Sequence, residues 1–213
     1  MTEQLRNFLK LARGGHWRTI LFKLQVHWKG LDLAPVEVEE LGIPMGRAKM
    51  FVDSGASPVL TKVLKHLPIS EQDAVLDFGS GKGGAMLVLL KEKFKRVEGV
   101  ELSEDMIRIA EQNFRKMGLK QVAIYKADAA SFPVGDHTTH FYFYNPFPRE
   151  VMIRVVQNIF ASLRRRPRKA TVIYLNPTEA DLFEEAGFAR IEESFDTNPT
   201  AIVFERSAER LAA

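Results

Sequence analysis

Ala74-Val75-Leu76-Asp77-Phe78-Gly79-Ser80-Gly81-Lys82-Gly83-Gly84, residues 74 to 84, joins a short apolar run to a glycine-rich turn, and Ala85-Met86-Leu87-Val88-Leu89-Leu90 follows at once. A five-residue apolar run bounded by glycine suits a buried strand, and the longer apolar stretch after it suits a buried helix. Strand, tight loop and helix in that order form the unit from which wound parallel sheets are built. The rest of the chain repeats it.

Downstream, Arg96 to Glu101 reads as a second strand, Ser103 to Met117 as a helix and Val122 to Lys126 as a third strand. His140 to Tyr144 is a fourth strand, Arg149 to Leu163 a helix, Thr171 to Leu175 a fifth strand, and Glu179 to Ala186 a helix closed by Gly187. The helix after the glycine turn is expected to span Ala85 to Phe94, and Ser103 has the chemistry of an N-cap. The last two strands, Ala189 to Phe195 and Ala201 to Glu205, are joined by Asp196-Thr197-Asn198-Pro199, too short for a parallel crossover, so they pair antiparallel. The fold class is therefore α/β, a doubly wound, Rossmann-like seven-stranded sheet with one antiparallel strand, plus an N-terminal helical extension. Residues 1–55 form the helical and irregular extension and 56–213 the domain proper, entered by a helix that Pro58 opens and Pro68 closes.

Composition narrows the function classes. The 213 residues are 46% hydrophobic, enough for one domain with a sizeable core. No cysteine is present, which removes disulfides and thiolate metal sites, and suits a reducing, cytoplasmic setting. His137 and His140 are the only close histidine pair, a polar turn rather than a metal site, so no metal is expected. No apolar run approaches the roughly 20 residues of a membrane span. The formal net charge of +3 permits an acidic partner without indicating nucleic acid. Arg164-Arg165-Arg166-Pro167-Arg168-Lys169 reads as a solvated loop at a helix C-terminus, on the edge opposite the ligand side of such a sheet, so nucleic acid is not expected as a partner.

The first 30 residues read as a basic amphipathic helix pair broken at Gly14-Gly15, with Leu5, Phe8 and Leu9, then Trp17, Ile20, Leu21, Leu24 and Trp28, at helical spacing. Packing over the domain's own edge, contact with an anionic membrane surface, and binding of a partner all stay open for it.

Ligands of wound sheets bind beyond the carboxyl ends of the strands. Four of those ends carry the chemistry. Asp77 precedes the glycine loop, where a carboxylate would oppose a pyrophosphate and suit an ammonium; two unit charges about 4 Å apart interact by about 4 kcal/mol at an effective dielectric of 20. Lys82 is followed by glycine rather than Ser or Thr, so the loop is not a P-loop. Glu101 ends the second strand, 18 residues past Gly83, where an acid accepts both hydroxyls of an adenosine ribose, with Leu102 beside it. Asp128 ends the third, with Ala129 leaving room for an adenine whose exocyclic amine the acid accepts. The fourth ends in Asn145-Pro146-Phe147-Pro148, and Leu175-Asn176-Pro177 repeats the Asn-Pro ending on the fifth.

The stretches VLDFGSGKGG, VEGVELS, YKADAASF and FYNPF together resemble the class I S-adenosylmethionine-dependent methyltransferases over about residues 56 to 206. DFGSGKG with GVELS and YNPF is similar, more narrowly, to small enzymes related to protein-lysine methyltransferases, although Gly84 stands where an arginine is expected in that group. The resemblance implies S-adenosyl-L-methionine as cofactor, held by Asp77, Gly79, Ser80, Gly81, Gly83, Glu101, Leu102, Asp128, Ala129 and Asn145. It implies an amine acceptor at Asn145, the Pro146 carbonyl and Phe147, by analogy with an Asn/Asp-Pro-Pro-aromatic loop from which the order here departs. The expected activity is methyl transfer to nitrogen, of a protein lysine or another amine. Small-molecule methylation and non-catalytic cofactor binding are the alternatives.

Overall fold

The computed structural model describes residues 17–48, 58–119, 122–192 and 200–208. Helix α1 (Trp17–Lys29) is followed by a 3-10 turn at Val38–Leu41 and by α2 (Pro58–His66). Then come β1 (Ala74–Phe78), α3 (Gly84–Leu89), β2 (Arg96–Glu101), α4 (Glu104–Lys116) and β3 (Ala123–Lys126). The second half runs β4 (His140–Tyr144), α5 (Arg149–Arg165), β5 (Ala170–Leu175), α6 (Asp181–Glu185), β6 (Ala189–Glu192) and β7 (Ala201–Arg206). The proposed first helix of the extension, its break at Gly14-Gly15 and the Asp196–Pro199 link lie outside the described residues.

The seven strands form one sheet in the order β3-β2-β1-β4-β5-β7-β6. β7 runs antiparallel to both β5 and β6, and every other pairing is parallel. The order reverses between β1 and β4, which lie side by side with Asp77 opposite Tyr142. That reversal opens the crevice used by ligands.

Side chains alternate between two cores, as the two-residue period of a strand demands. Leu76 and Phe78, Phe141 and Phe143, Val172 and Tyr174, and Ile202 and Phe204 meet α5 and α6 on one face. Val75, Tyr142, Ile173, Leu175 and Val203 meet α1 to α4 on the other. Phe78 and Phe143 stack with ring centroids 4.9 Å apart and planes 3° from parallel, which locks β1 to β4 beneath the crevice.

Several expectations are corrected. α3 ends at Leu89 rather than Phe94, and residues 90–94 form turns. Ser103 occupies the N-cap position of α4 without capping it; its hydroxyl donates to the Leu41 carbonyl at 2.7 Å instead. The basic run at 164–169 is not simply solvated. Arg165 donates to Asp136 at 2.7 Å and to the Val134 carbonyl, and Lys169 pairs with Glu205 at 2.7 Å. Arg168 donates to the Thr138 carbonyl and to the Ser162 hydroxyl, and burial lowers its guanidinium to about 10. The run fastens the β3–β4 connection to the end of α5.

Candidate active site

The glycine loop is shaped by what presses on it. At Gly79, φ is +76° and an added Cβ would lie 2.9 Å from the Pro146 Cβ, so the first glycine lets the Asn-Pro-Phe-Pro turn rest directly on the loop. At Gly83, φ is +80° and an added Cβ would lie 2.6 Å from the Phe114 ring of α4. The Gly81 N–H donates to Glu101 at 2.8 Å, tying the loop to the end of β2.

Glu101 is 9% exposed and accepts three hydrogen bonds from the backbone around it. One carboxylate oxygen accepts from the Leu102 and Ser103 N–H groups, each at 2.8 Å, and the other from Gly81. Burial raises its pKa, and the three N–H donors oppose that rise. Asp77 has no such help. It is 2% exposed, its Oδ2 has no hydrogen-bond partner, and burial, with the Glu101 charge adding to it, raises the carboxyl to about 8. The Ser80 hydroxyl is likewise buried and unpartnered. Orphaned polar atoms of this kind cost about 1–3 kcal/mol each, so their presence inside a ligand loop marks where a donor from a bound group belongs.

A cavity of about 290 Å³ lies over these strand ends, at the small end of the roughly 300–1,000 Å³ usual for ligand sites. Gly79, Val100, Glu101, Leu102, Asp128 and Ala129 line its floor, and Tyr144, Pro146 and Phe147 its far wall. The structure thus brings together seven of the twelve residues that the sequence singles out. Asp77, Ser80, Gly81 and Gly83 are buried under the loop beside the cavity rather than on its surface. Asn145 is 3% exposed and also set back from the wall. Its φ is +41° and that of Asn176 is +50°, a left-handed turn that asparagine tolerates better than most residues. The Thr178 hydroxyl donates to Asn145 Oδ1 at 2.8 Å, so the two Asn-Pro strand ends are neighbours and one orients the other.

The sequence leaves open whether the extension covers the site, and it does not single out the residues of the roof. Leu41, Ile43, Arg47 and Ala48 of the extension close the cavity from above. Arg47 pairs with Asp128 at 3.3 Å, while the other Asp128 oxygen accepts from the Ala130 N–H. Farther back, Lys82, whose side chain is 4% exposed, reaches out of the glycine loop to Asp32 at 2.7 Å. Burial would raise the Asp32 pKa, but the Lys82 hydrogen bond and the Ala34 N–H outweigh it and hold it low. Asn113 of α4 completes the seam, donating to the Asp32 and Lys82 carbonyls and accepting from the Asp32 N–H. The only hint in the sequence was a lysine inside the glycine loop and an isolated Asp32.

These features fit S-adenosylmethionine: acids at three strand ends, orphaned acceptors in the loop, and a glycine-lined approach. A family profile described as "Methyltransferase domain" matches residues 75–166. The chain is 35% identical over 66 residues to ribosomal RNA small subunit methyltransferase A of Prochlorococcus marinus, covering 30% of this chain and 24% of that protein. It is 35% identical over 80 residues to ribosomal RNA small subunit methyltransferase H of Crocosphaera subtropica, covering 36% and 25%. The chain therefore spans about a quarter of the length of these curated relatives. Among solved structures, a SAM-dependent methyltransferase from Aquifex aeolicus superposes with a TM-score of 0.54 at 19% identity, over 68% of this chain and 87% of that one. Ribosomal protein L11 methylase from Lactobacillus delbrueckii subsp. bulgaricus gives 0.54 at 16%, over 73% and 82%. At such identities the likeness is one of fold.

Residues 75–166 thus match the methyltransferase-domain family, and the wound seven-stranded sheet is the fold that these methyltransferases of known structure share.

Proposed function

We propose that this protein transfers a methyl group from S-adenosylmethionine to a nitrogen atom, with a protein lysine or comparable amine as acceptor. The observation that carries this reading is the contact of the two motifs. The Asn-Pro-Phe-Pro turn sits on Gly79, and Pro146 and Phe147 share one cavity with Glu101 and Asp128. In this reading Glu101 takes the ribose hydroxyls, Asp128 the adenine amine, and Asp77 the ammonium of the methionine part. Ser80 and the backbone of Gly79, Gly81 and Gly83 supply the close approach, with Leu102, Ala129 and Asn145 beside them.

The sulfonium supplies an activated methyl and its own leaving group. What the protein must add is alignment and a dry surround. Pro146 fixes the backbone so that its carbonyl can accept from an amine N–H, Thr178 holds the Asn145 amide in one orientation, and a carbonyl oxygen can accept two hydrogen bonds. Phe147, 8% exposed, walls the site against water. In this reading the carboxylates of Asp77, Glu101 and Asp128 are committed to the cofactor, and His140 lies at the other end of β4, where burial lowers it to about 4. The amine therefore arrives neutral, its proton already given to solvent.

The likeness to ribosomal RNA small subunit methyltransferases A and H supports a second acceptor, RNA. One assay separates the two. Cell extract is incubated with the pure protein and methyl-labelled cofactor, then fractionated. Label in protein bands that Asn145→Ala abolishes supports the first reading, label in RNA the second, and label only in small molecules refutes both.

A further inference from the structure

Helix α1 is apolar on two sides, and only one of them is used. Phe22 is buried against Leu31 and α2, and Ile20 is 3% exposed. On the other side Trp17 is 60% exposed, Leu21 64%, Leu24 53% and Trp28 82%. At 3.6 residues per turn, positions i, i+4, i+7 and i+11 fall in a stripe about 60° wide. Exposed Lys23 and His27 flank it on one side and exposed Lys29 on the other, the Lys29 ammonium lying 5.4 Å from the Trp28 ring.

Charge is as uneven as polarity. α1 contains Arg18, Lys23 and Lys29 and no acid, which equals the formal net charge of +3 of the whole chain. The remaining residues carry as many acids as bases, 27 of each, whereas α1 offers only cations beside the uncovered stripe. A basic helix with tryptophan and leucine on one face lies in the plane of a lipid interface, indoles at the headgroup level and cations toward anionic phosphates. At about 1.5 Å per residue its 13 residues extend some 20 Å, and no helix among the described residues is long and apolar enough to cross a membrane.

We propose that α1 docks this protein onto the surface of an anionic lipid bilayer. A second copy is a poor occupant, because face-to-face pairing would bring the flanking cations of both helices together. RNA is also a poor one, because Leu21 and Leu24, between the two indoles, offer nothing to phosphates or bases. A bilayer accepts the apolar stripe and the cations at once.

Trp17 and Trp28 are the only two tryptophans in the chain, so intrinsic fluorescence reports this face without a label. The full-length protein is mixed with vesicles of phosphatidylcholine alone, and of phosphatidylcholine with phosphatidylglycerol. The expected result is a blue shift and co-sedimentation with the anionic vesicles only, weakened by salt. Lys23→Ser and Lys29→Ser should each lower partitioning about fivefold. Leu21→Glu with Leu24→Glu should abolish it while calorimetric binding of S-adenosylhomocysteine stays unchanged, which shows that the domain is folded. Equal binding to neutral vesicles overturns the proposal, as does the absence of any shift. A shift that follows protein concentration without lipid, or RNA without lipid, also overturns it in favour of those partners.

Discussion

Replacing Asp77 by asparagine should stabilise the cofactor-free protein while destroying its ability to hold the cofactor. The carboxyl is 2% exposed, one oxygen lacks a partner, and its pKa is raised from 3.8 to about 8 by burial and by Glu101. The folded state therefore keeps a proton that the unfolded chain releases at lower pH. Between the two values each pH unit costs the folded state about 1.4 kcal/mol, so stability falls as pH rises from about 4 and levels off near 8. At pH 7 the full effect is about 4 kcal/mol, and local relaxation and hydration bring a realistic gain to about 2–4 kcal/mol. For a chain of this length that raises Tm by roughly 5–15 °C. Asparagine is neutral throughout, so the difference in Tm between Asp77→Asn and the parent should be near zero at pH 4 and grow up to pH 8. Differential scanning calorimetry across that range checks it. A difference that is flat with pH, or a parent protein more stable at pH 8, would refute the view of Asp77 as a buried carboxyl waiting for a cation.

The other predictions concern the shell around that group. Glu101→Gln puts an amide N–H where a carboxylate oxygen now accepts from Gly81, or from Leu102 and Ser103, and should cost about 1–3 kcal/mol of stability as well as cofactor affinity. Urea unfolding and titration with S-adenosylhomocysteine read the two effects separately. Gly79→Ala combines a φ of +76° with a Cβ 2.9 Å from Pro146. It should lower cofactor affinity more than tenfold, since about 1–2 kcal/mol of backbone strain is added to the clash. Asp32→Asn leaves the buried Lys82 ammonium with a weaker partner and, Asp32 being half exposed, should cost about 1–2 kcal/mol at neutral pH. Because the folded pKa of Asp32 is lowered, the parent's advantage over this variant should be present above about pH 4 and disappear as pH falls further; urea unfolding at several pH values tests it.

The sheet was legible because β1, β2, β4, β5 and β7 are buried on both faces and therefore read as short, nearly continuous apolar runs closed by glycine, acid or Asn-Pro. The four ligand-facing strand ends followed from that arrangement. Helix ends were less legible: Phe94 continues an apolar pattern, but the chain leaves α3 at Leu89 and Phe94 packs its ring edge against His140. Ser103 shows the limit of local rules, since its hydroxyl serves a contact 62 residues away. For the same reason the roof could not be read. Leu41, Arg47 and Asp32 sit in a stretch with no period, and their roles depend on tertiary partners, Ser103, Asp128 and Lys82. Asn145 was read as a strand end facing a ligand, and its left-handed backbone and Thr178 partner give it a structural task as well.

The central claim is that a cation-accepting cofactor site lies at these strand ends, and calorimetric titration with S-adenosylhomocysteine tests it most directly. At pH 7, in two buffers of different ionisation enthalpy, the account predicts one site of micromolar affinity, release of about one proton as Asp77 ionises against the ligand's ammonium, and no binding by Asp77→Asn. Absence of heat in the parent protein, or undiminished binding by Asp77→Asn, would contradict it.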